Sequence, residues 1–168
     1  EFNAGVKIFG GWSRGQNGQR SLALFARGQY GDSKFDHSFF TQPAYDNFEA
    51  LILRNSGQDW MRSSIKDIML TSLMRGSGLD FQEHNPVATY LNGEYWGMYN
   101  LREKINEHML ASKHNIDADD ITLLSDNAEE IEGTNQEYLQ LLDYINTTDL
   151  TIDSNFEYVE QQIDLKAY

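Results

Sequence analysis

A glycine-rich segment near the start of the chain has the composition of a phosphate-binding loop. The segment GGWSRGQNG, residues 10–18, holds four glycines, and glycine lets backbone N–H groups come close to a phosphate. Ser13, Arg14 and Arg20 could add hydrogen-bond donors. The spacing matches neither the P-loop nor the Rossmann pattern. Two interpretations therefore stay open, a phosphate site and a glycine-rich turn between two strands, and the turn is the more common arrangement.

Two aspartates fall at the start of a predicted helix. A carboxylate near a helix N-terminus is stabilised by the helix dipole, so we predict that Asp59 caps this helix. Asp67 lies further along, beside Lys66. It could face inward and pair with a cation from the sheet, or it could be a surface charge. Its spacing alone favours the surface.

Several kinds of catalytic and metal site are excluded or disfavoured by residue type and spacing. There are no cysteines, which rules out a disulfide framework, a thiolate metal site and a cysteine nucleophile. No GxSxG string is present. The acidic pairs at 119–120 and 129–130 lack the spacing of a calcium-binding EF-hand. The histidines form none of the usual zinc motifs; they are His37, His84, His108 and His114. We therefore predict no metal site in this chain.

Charge is distributed unevenly along the 168 residues. The net charge is −13, which argues against a nucleic acid partner. Residues 1–76 hold nine basic and seven acidic residues, whereas residues 77–168 hold four and nineteen. The first half would therefore receive an anion such as phosphate better than the second, whose acidic residues are most simply read as solvated faces. No apolar run approaches the roughly 18 residues of a membrane span. The chain begins with Glu1, which we interpret as a start inside a longer protein.

The elements that must position these residues form an α+β pattern. Strands are predicted at residues 4–9, 20–27, 48–55, 86–91 and 94–101, so the glycine-rich segment joins the first two. A helix carrying Ile65, Ile68, Met69 and Leu73 on its apolar face is predicted to end near Gly76. Further helices are predicted at 104–113 and behind two capping boxes, Thr134 to Glu137 and Ser154 to Glu157. The order of elements indicates a mainly antiparallel sheet followed by helices.

The stretch YLNGEYWGMYNLREKIN, residues 90–106, reads as a hairpin with an aromatic flank. Asn92-Gly93 favours a type I′ turn. The aromatic residues around it are more often core residues or cross-strand pairs than ligand contacts; they are Tyr90, Tyr95, Trp96 and Tyr99. A carbohydrate-binding surface that uses Trp12, Trp60 and Trp96 is a weaker alternative.

Five strings in order resemble the CotH kinase family, which is named for a spore coat protein. They are GGWSR, RSLALFAR, LRNSGQDW, PVATYLNGEYWGMYNLREKI and IDLKAY, and they cover most of the chain. The resemblance implies an atypical protein-kinase-like fold. Residues 1–103 would be an N-lobe-like antiparallel sheet with one helix, and residues 104–168 a hinge and a partial, mostly helical C-lobe.

The resemblance also implies roles for individual residues at an ATP site. Ser13 and Arg14 would lie in the loop over the phosphates, and the strand at residues 20–27, which begins with Arg20, would present a cation to them. Asp67 would be the acidic partner of that cation, on the helix. The segment Leu101, Arg102 and Glu103 would lead into the hinge beside the adenine. Arg20 stands where many relatives have a Lys, and Arg is not a simple substitute for a Lys point charge.

The family's catalytic and metal-binding strings lie beyond the point where this sequence ends, so the resemblance implies no catalytic residue here. We expect a parent protein that binds ATP and Mg²⁺ and phosphorylates Ser/Thr of surface or spore-coat proteins outside a bacterial cell. The fragment itself is expected to be inactive, with neither cofactor tightly bound. The alternative is a non-catalytic, pseudokinase-like interaction domain at the cell surface.

Overall fold

The computed structural model describes residues 1–16, 18–41, 45–165 and 167 of the chain. Asn17 of the glycine-rich segment and Lys166 and Tyr168 of the IDLKAY string lie outside the described residues. The strands are β1 (Gly5–Ile8), β2 (Leu22–Phe25), β3 (Phe35–Asp36), β4 (Asn47–Phe48), β5 (Ala50–Arg54), β6 (His84–Leu91), β7 (Glu94–Glu103), β8 (Leu123–Leu124) and β9 (Glu130–Glu132). The α-helices are α1 (Ser13–Gln16), α2 (Lys66–Ser72), α3 (Glu107–His114), α4 (Gln136–Thr147) and α5 (Asp153–Gln162).

Five strands form one antiparallel sheet in the order β1-β2-β5-β7-β6. The pairs β3–β4 and β8–β9 are short separate ribbons. The α+β prediction with a mainly antiparallel sheet is therefore confirmed, while its likeness to a kinase N-lobe stays a prediction. No helix in the described parts of the chain is long and apolar enough to cross a lipid bilayer.

The two faces of the sheet have different chemistry because side chains alternate along each strand. One face carries Leu51 and Leu101, which pack with aromatic residues into the main core. The aromatic members of that core are Phe35, Phe40 and Phe48. The opposite face carries Ile52 and Arg54 of β5 with Asn100 and Arg102 of β7. Helix α2 lies over this polar face and contacts Arg102 through Asp67 and Thr71.

The hairpin prediction is confirmed by the backbone. Asn92 and Gly93 connect β6 to β7 with φ values of 52° and 85°, as a type I′ turn requires. Tyr90 and Tyr95 form a cross-strand pair with ring centroids 5.5 Å apart, although both rings are exposed. Of the four aromatics of this stretch, only Tyr99 is buried, with 2% of its surface exposed.

The prediction for α2 identified a helix but assigned the wrong face to the interior. Of the four residues predicted on its apolar face, Ile68 is partly buried, whereas Ile65, Met69 and Leu73 are 55%, 52% and 72% exposed. The helix turns Asp67 and Thr71 to the sheet because the strands below present Arg54 and Arg102 on this face, beside Ile52. The surface position favoured for Asp67 by its spacing is therefore wrong, since Asp67 faces Arg102.

Neither predicted capping box forms. Helix α4 begins at Gln136, with Asn135 at the N-cap and no side-chain hydrogen bond there. The Asn135 amide instead donates to the carbonyl of Ala128, and its backbone N–H donates to Glu130. Helix α5 begins at Asp153, which leaves Ser154 inside the helix rather than at its cap.

Candidate functional site

One carboxylate oxygen of Asp67 is shared by two arginines. Arg54 Nε lies 2.5 Å from Asp67 Oδ2, and Arg102 Nη1 lies 2.6 Å from the same atom. Arg102 Nη2 also donates to the hydroxyl of Thr71 at 2.9 Å. We call Arg54, Asp67 and Arg102 the arginine–aspartate cluster. It joins two central strands to the helix that covers them.

Strand register explains why the two arginines meet. In the β5–β7 ladder, Arg54 lies opposite Asn100 and Ile52 lies opposite Arg102. The period of two puts Arg54 and Ile52 on the same face, so the two guanidinium groups are diagonal neighbours. Asp67 is in the first turn of α2, which crosses this face.

The cluster carries more positive than negative charge in a partly buried position. The Arg102 side chain is 5% exposed, and its Nε has no hydrogen-bond partner in the described portion of the structure. Burial lowers the pKa of Arg102, while Asp67 opposes this effect; arginine nevertheless stays charged at neutral pH. Burial and the charge of Arg102 lower the pKa of His84, so neutral His84 adds no charge. Two cations therefore share one carboxylate.

A buried hydrogen-bond network fixes the segment that follows Arg54. The Asn55 carboxamide oxygen accepts from the Ser21 hydroxyl and from the Gly57 N–H, and its amide donates to the carbonyl of Gln19. Ser56 then adopts a left-handed conformation with φ of 67°. Its hydroxyl donates to the carbonyl of Ser64. The LRNSGQDW string thus encodes a sharp, internally bonded turn that leads from β5 towards α2.

The Gln19 side chain connects three segments around this turn. It donates to the carbonyl of Met98 at 2.8 Å and accepts from the Trp60 indole at 3.1 Å. Gly97 has a φ of 139°, and a Cβ at this position would lie 2.7 Å from Gln19 Nε2. Glycine is therefore required in β7 so that Gln19 can lie against the strand.

Asp59 caps α2 from outside the helix, in agreement with the cap predicted for it. Its Oδ2 accepts from the Ser63 hydroxyl at 2.6 Å and from the backbone N–H of Lys66 at 3.0 Å. These bonds, that of Ser63 first, lower the pKa of Asp59 from its usual 3.8. A carboxylate whose pKa is lowered on folding stabilises the folded state above its unfolded pKa and loses that effect as the pH falls through the folded value.

We therefore expect the stability advantage of the native protein over Asp59→Asn to be largest near neutral pH. It should shrink as the pH is lowered below about 3.8, because Asp59 is protonated there in the unfolded chain and still ionised in the folded protein. Urea unfolding of both proteins at several pH values measures the difference. A difference that stays constant down to about pH 2 would show that the ionised form of Asp59 is not what stabilises the cap.

Two cavities meet at the arginine–aspartate cluster, and together we call them the cleft. The first cavity, of about 390 Å³, is bordered by residues 10–13, by Arg54, Asp67 and Leu70, and by residues 56–59, 62 and 66. The second, of about 580 Å³, is lined by Arg54, Asp67 and Arg102 and by apolar side chains. Both volumes lie within the range of roughly 300–1,000 Å³ for small-molecule sites.

The structure brings three of the seven predicted site residues to the cleft. Ser13 borders the first cavity, Arg102 borders the second, and Asp67 borders both. The other four predicted residues line neither cavity; they are Arg14, Arg20, Leu101 and Glu103.

Arg20 does not reach the carboxylate for which the resemblance proposed it as a partner. The Arg20 residue is exposed, and its backbone carbonyl accepts from the Tyr99 hydroxyl at 2.8 Å. The ion-pair partners of Asp67 are Arg54 and Arg102 instead. The reason is geometric, because Arg20 precedes β2 whereas α2 crosses β5 and β7.

Leu101 and Glu103 are buried and make contacts that stabilise the fold. Leu101 belongs to the main core, and Glu103 is 2% exposed. The Glu103 carboxylate accepts from the backbone N–H of Glu83 at 2.7 Å and from the Tyr45 hydroxyl. Burial, and then the charge of Glu103, raises the pKa of Tyr45 well above its usual value.

Arg54 is the site residue that the sequence reading missed. It lies inside the LRNSGQDW string, at the last position of β5. The sequence contains a signal for this role. Alternation along ALILR, residues 50–54, puts Arg54 on the same face as Ile52, at the end of the strand that precedes the predicted helix. The resemblance assigned the cation role to Arg20 instead.

The residues described include no group of three or more His, Asp or Glu side chains placed to hold a metal ion. Of the two carboxylates in the cleft, Asp59 accepts two hydrogen bonds and Asp67 shares one oxygen between two arginines. Magnesium prefers oxygen ligands in octahedral geometry. The described carboxylates of the cleft therefore do not fit a magnesium site.

A family model described as CotH kinase protein matches residues 6–168, which includes every element of the cleft. No curated protein and no solved structure matched the chain.

Proposed function

The chain belongs to the CotH kinase family, and from this we propose that its cleft binds a nucleotide, with ATP as the ligand. The observation that carries the proposal is the ion pair between Arg54 at the end of β5 and Asp67 on α2. Protein kinases use an ion pair between a strand lysine and a helix glutamate beside the nucleotide phosphates. Here an arginine and an aspartate form a comparable pair between strand and helix.

The first cavity suits the phosphates. Arg54, Arg62 and Lys66 border it together with the backbone of Gly10 and Gly11. Gly10 has a φ of 105°, a conformation that favours glycine. A guanidinium group can donate two parallel hydrogen bonds to a phosphate. Arg54 is 32% exposed, so it can contact a ligand and keep its bond to Asp67.

The second cavity suits the base. Its apolar lining consists of Phe9, Ile52, Ile105 and Ile131, and Gln82 is its uncharged polar group with an amide. Pockets for small molecules commonly combine an apolar lining with a few polar groups that fix orientation. A base placed there would lie beside Arg54, with the phosphates directed towards residues 10–13.

For the parent protein, we propose the family's reaction class, transfer of a phosphoryl group from ATP to Ser/Thr of surface or spore-coat proteins outside the cell. Such transfer needs metal-held phosphates and a group that positions the hydroxyl. The cleft carboxylates Asp59 and Asp67 are both engaged in structural bonds, so we assign neither role to them. We propose that this sequence by itself binds nucleotide without turnover.

A second candidate, a non-catalytic interaction domain, is favoured by the exposed apolar side of α2. Ile65, Met69 and Leu73 lie on that side. Phosphate incorporation into a protein substrate by the full-length parent would exclude this candidate. Retained nucleotide binding without incorporation would favour it.

We expect ATP binding to depend on Arg54. Replacing Arg54 with Met should weaken binding by roughly tenfold or more, because a charge-assisted contact to phosphate is lost, whereas Arg54→Lys should keep part of it. Isothermal titration calorimetry with ATP and Mg²⁺ measures this effect. Arg27→Gln is the matched control, since Arg27 is exposed and lies outside both cavities.

Thermal unfolding of each variant establishes that it is folded before titration. Failure of the native protein to bind ATP, or equal binding by folded Arg54→Met, would contradict the proposal.

A further inference from the structure

We propose that the cleft holds a polyphosphate as the metal-free anion, with arginine and lysine side chains supplying the positive charge that Mg²⁺ provides in other kinase-like sites. This inference concerns the site of the proposed function and rests on it for the identity of the nucleotide. It follows from the charges of the cleft, whose described carboxylates do not fit a magnesium site and whose basic side chains outnumber them.

Charge on the cleft is opposite to charge on the chain. The lining of the two cavities contains five basic and two acidic side chains, a surplus of three positive charges, in a chain whose net charge is −13. The basic residues are Arg54, Arg62, Lys66, Arg102 and Lys104, and the acidic ones are Asp59 and Asp67. A concave surface of one sign concentrates ligands of the other sign, and a triphosphate carries several negative charges.

Asp67 is a poor ligand for a divalent cation. Two guanidinium nitrogens lie 2.5 and 2.6 Å from its Oδ2, and a magnesium ion would have to approach to about 2.1 Å. The ion would then lie within a few ångströms of two positive charges, whose repulsion is strong in a partly buried site. An anion arriving at the same place is attracted by both arginines.

Arg102 makes this attraction larger than an ordinary strand–helix ion pair would. A lysine–glutamate pair is neutral as a whole, whereas the arginine–aspartate cluster has a surplus of one positive charge. The Arg102 side chain is 5% exposed, so water screens its charge weakly. A bound phosphate would be the counter-charge that the cluster lacks.

Calorimetric titration with sodium tripolyphosphate and with ATP, each in EDTA and each with Mg²⁺, tests the inference. We expect both ligands to bind in EDTA, and Mg²⁺ to leave their affinity unchanged or to weaken it, since it neutralises part of the ligand's charge. Binding that is detected only with Mg²⁺ would overturn the inference while leaving the proposed function in place.

The double variant Arg62→Gln/Lys66→Gln tests whether the local charge is responsible, and it leaves the arginine–aspartate cluster intact. We expect tripolyphosphate binding in EDTA to weaken by roughly tenfold or more and to become less dependent on salt. The matched control, Lys7→Gln/Arg27→Gln, removes two positive charges outside the cleft. Equal weakening by both double variants, or no change in the first, would overturn the inference.

The ligands separate this inference from the proposed function. Binding of tripolyphosphate in EDTA without binding of ATP would support the anion site and overturn the nucleotide assignment. Binding of neither ligand in either buffer would overturn both.

Discussion

Replacing Asp67 with Asn will lower the free energy of unfolding by about 3 kcal/mol, the lower end of the range for breaking a buried ion pair. The carboxylate is the only acidic partner of Arg102 among the described residues, and the Arg102 side chain is 5% exposed. Without it, a buried guanidinium has no counter-charge. The lower end applies because Asp67 is 27% exposed, so water can enter and screen part of the lost interaction.

Urea unfolding gives the free energy, and the melting temperature should fall by about 6–12 °C for a chain of this size. The control is the same substitution in an Arg102→Met background, where the buried charge is already gone. In that background, Asp67→Asn should lower the free energy of unfolding by at least about 1 kcal/mol less than it does in the native protein. Equal costs in the two backgrounds would show that Asp67 does not act through Arg102.

Replacing Asn55 with Ala will also cost about 3 kcal/mol. Asn55 is 2% exposed. Its side chain accepts hydrogen bonds from the Ser21 hydroxyl and the Gly57 N–H, and it donates one to the Gln19 carbonyl. Alanine would leave these three polar groups without that partner, and each buried unpaired group costs about 1–3 kcal/mol before relaxation. Partial relaxation of the structure and entry of water keep the total loss of stability below the sum of the three separate costs.

The matched control for this variant is Asn47→Ala, because Asn47 is exposed on β4. Urea unfolding should show a change within about 0.5 kcal/mol for the control. A similarly small change for Asn55→Ala would mean that the network does not hold the turn. The Asn55 variant should also weaken ATP binding, because the turn carries one border of the first cavity.

Local patterns predicted the hairpin and the presence of α2, although neither predicted capping box forms. The Asn92-Gly93 pair needs only its two neighbours to form a hairpin, and the turn has the φ values that these residues favour. Helix α2 was likewise found from its spacing. Its orientation was not found, because the choice of buried face depends on what the strands below present, and Arg102 lies thirty-five positions after Asp67.

The same dependence on distant residues explains why Arg20, and not Arg54, was predicted to be the cation that pairs with Asp67. Arg20 and Arg54 both belong to predicted strands, and either could have reached Asp67 as far as the sequence shows. Strand order decides between them, since β5 is central beside β7 and β2 is one strand further away. Arg102 was singled out as a hinge residue, whereas its side chain is part of the cluster. Register between distant strands is set by packing of the whole sheet rather than by local residue type.

The Gln19 amide has a mechanical consequence for the cleft. Directly after the glycine-rich segment, this side chain bonds to Trp60, in the segment between β5 and α2, and to Met98 of β7. These two bonds hold the residue that follows the glycine-rich segment against β7 and against the turn after β5. A movement of either segment would therefore stretch or break a hydrogen bond of the Gln19 amide.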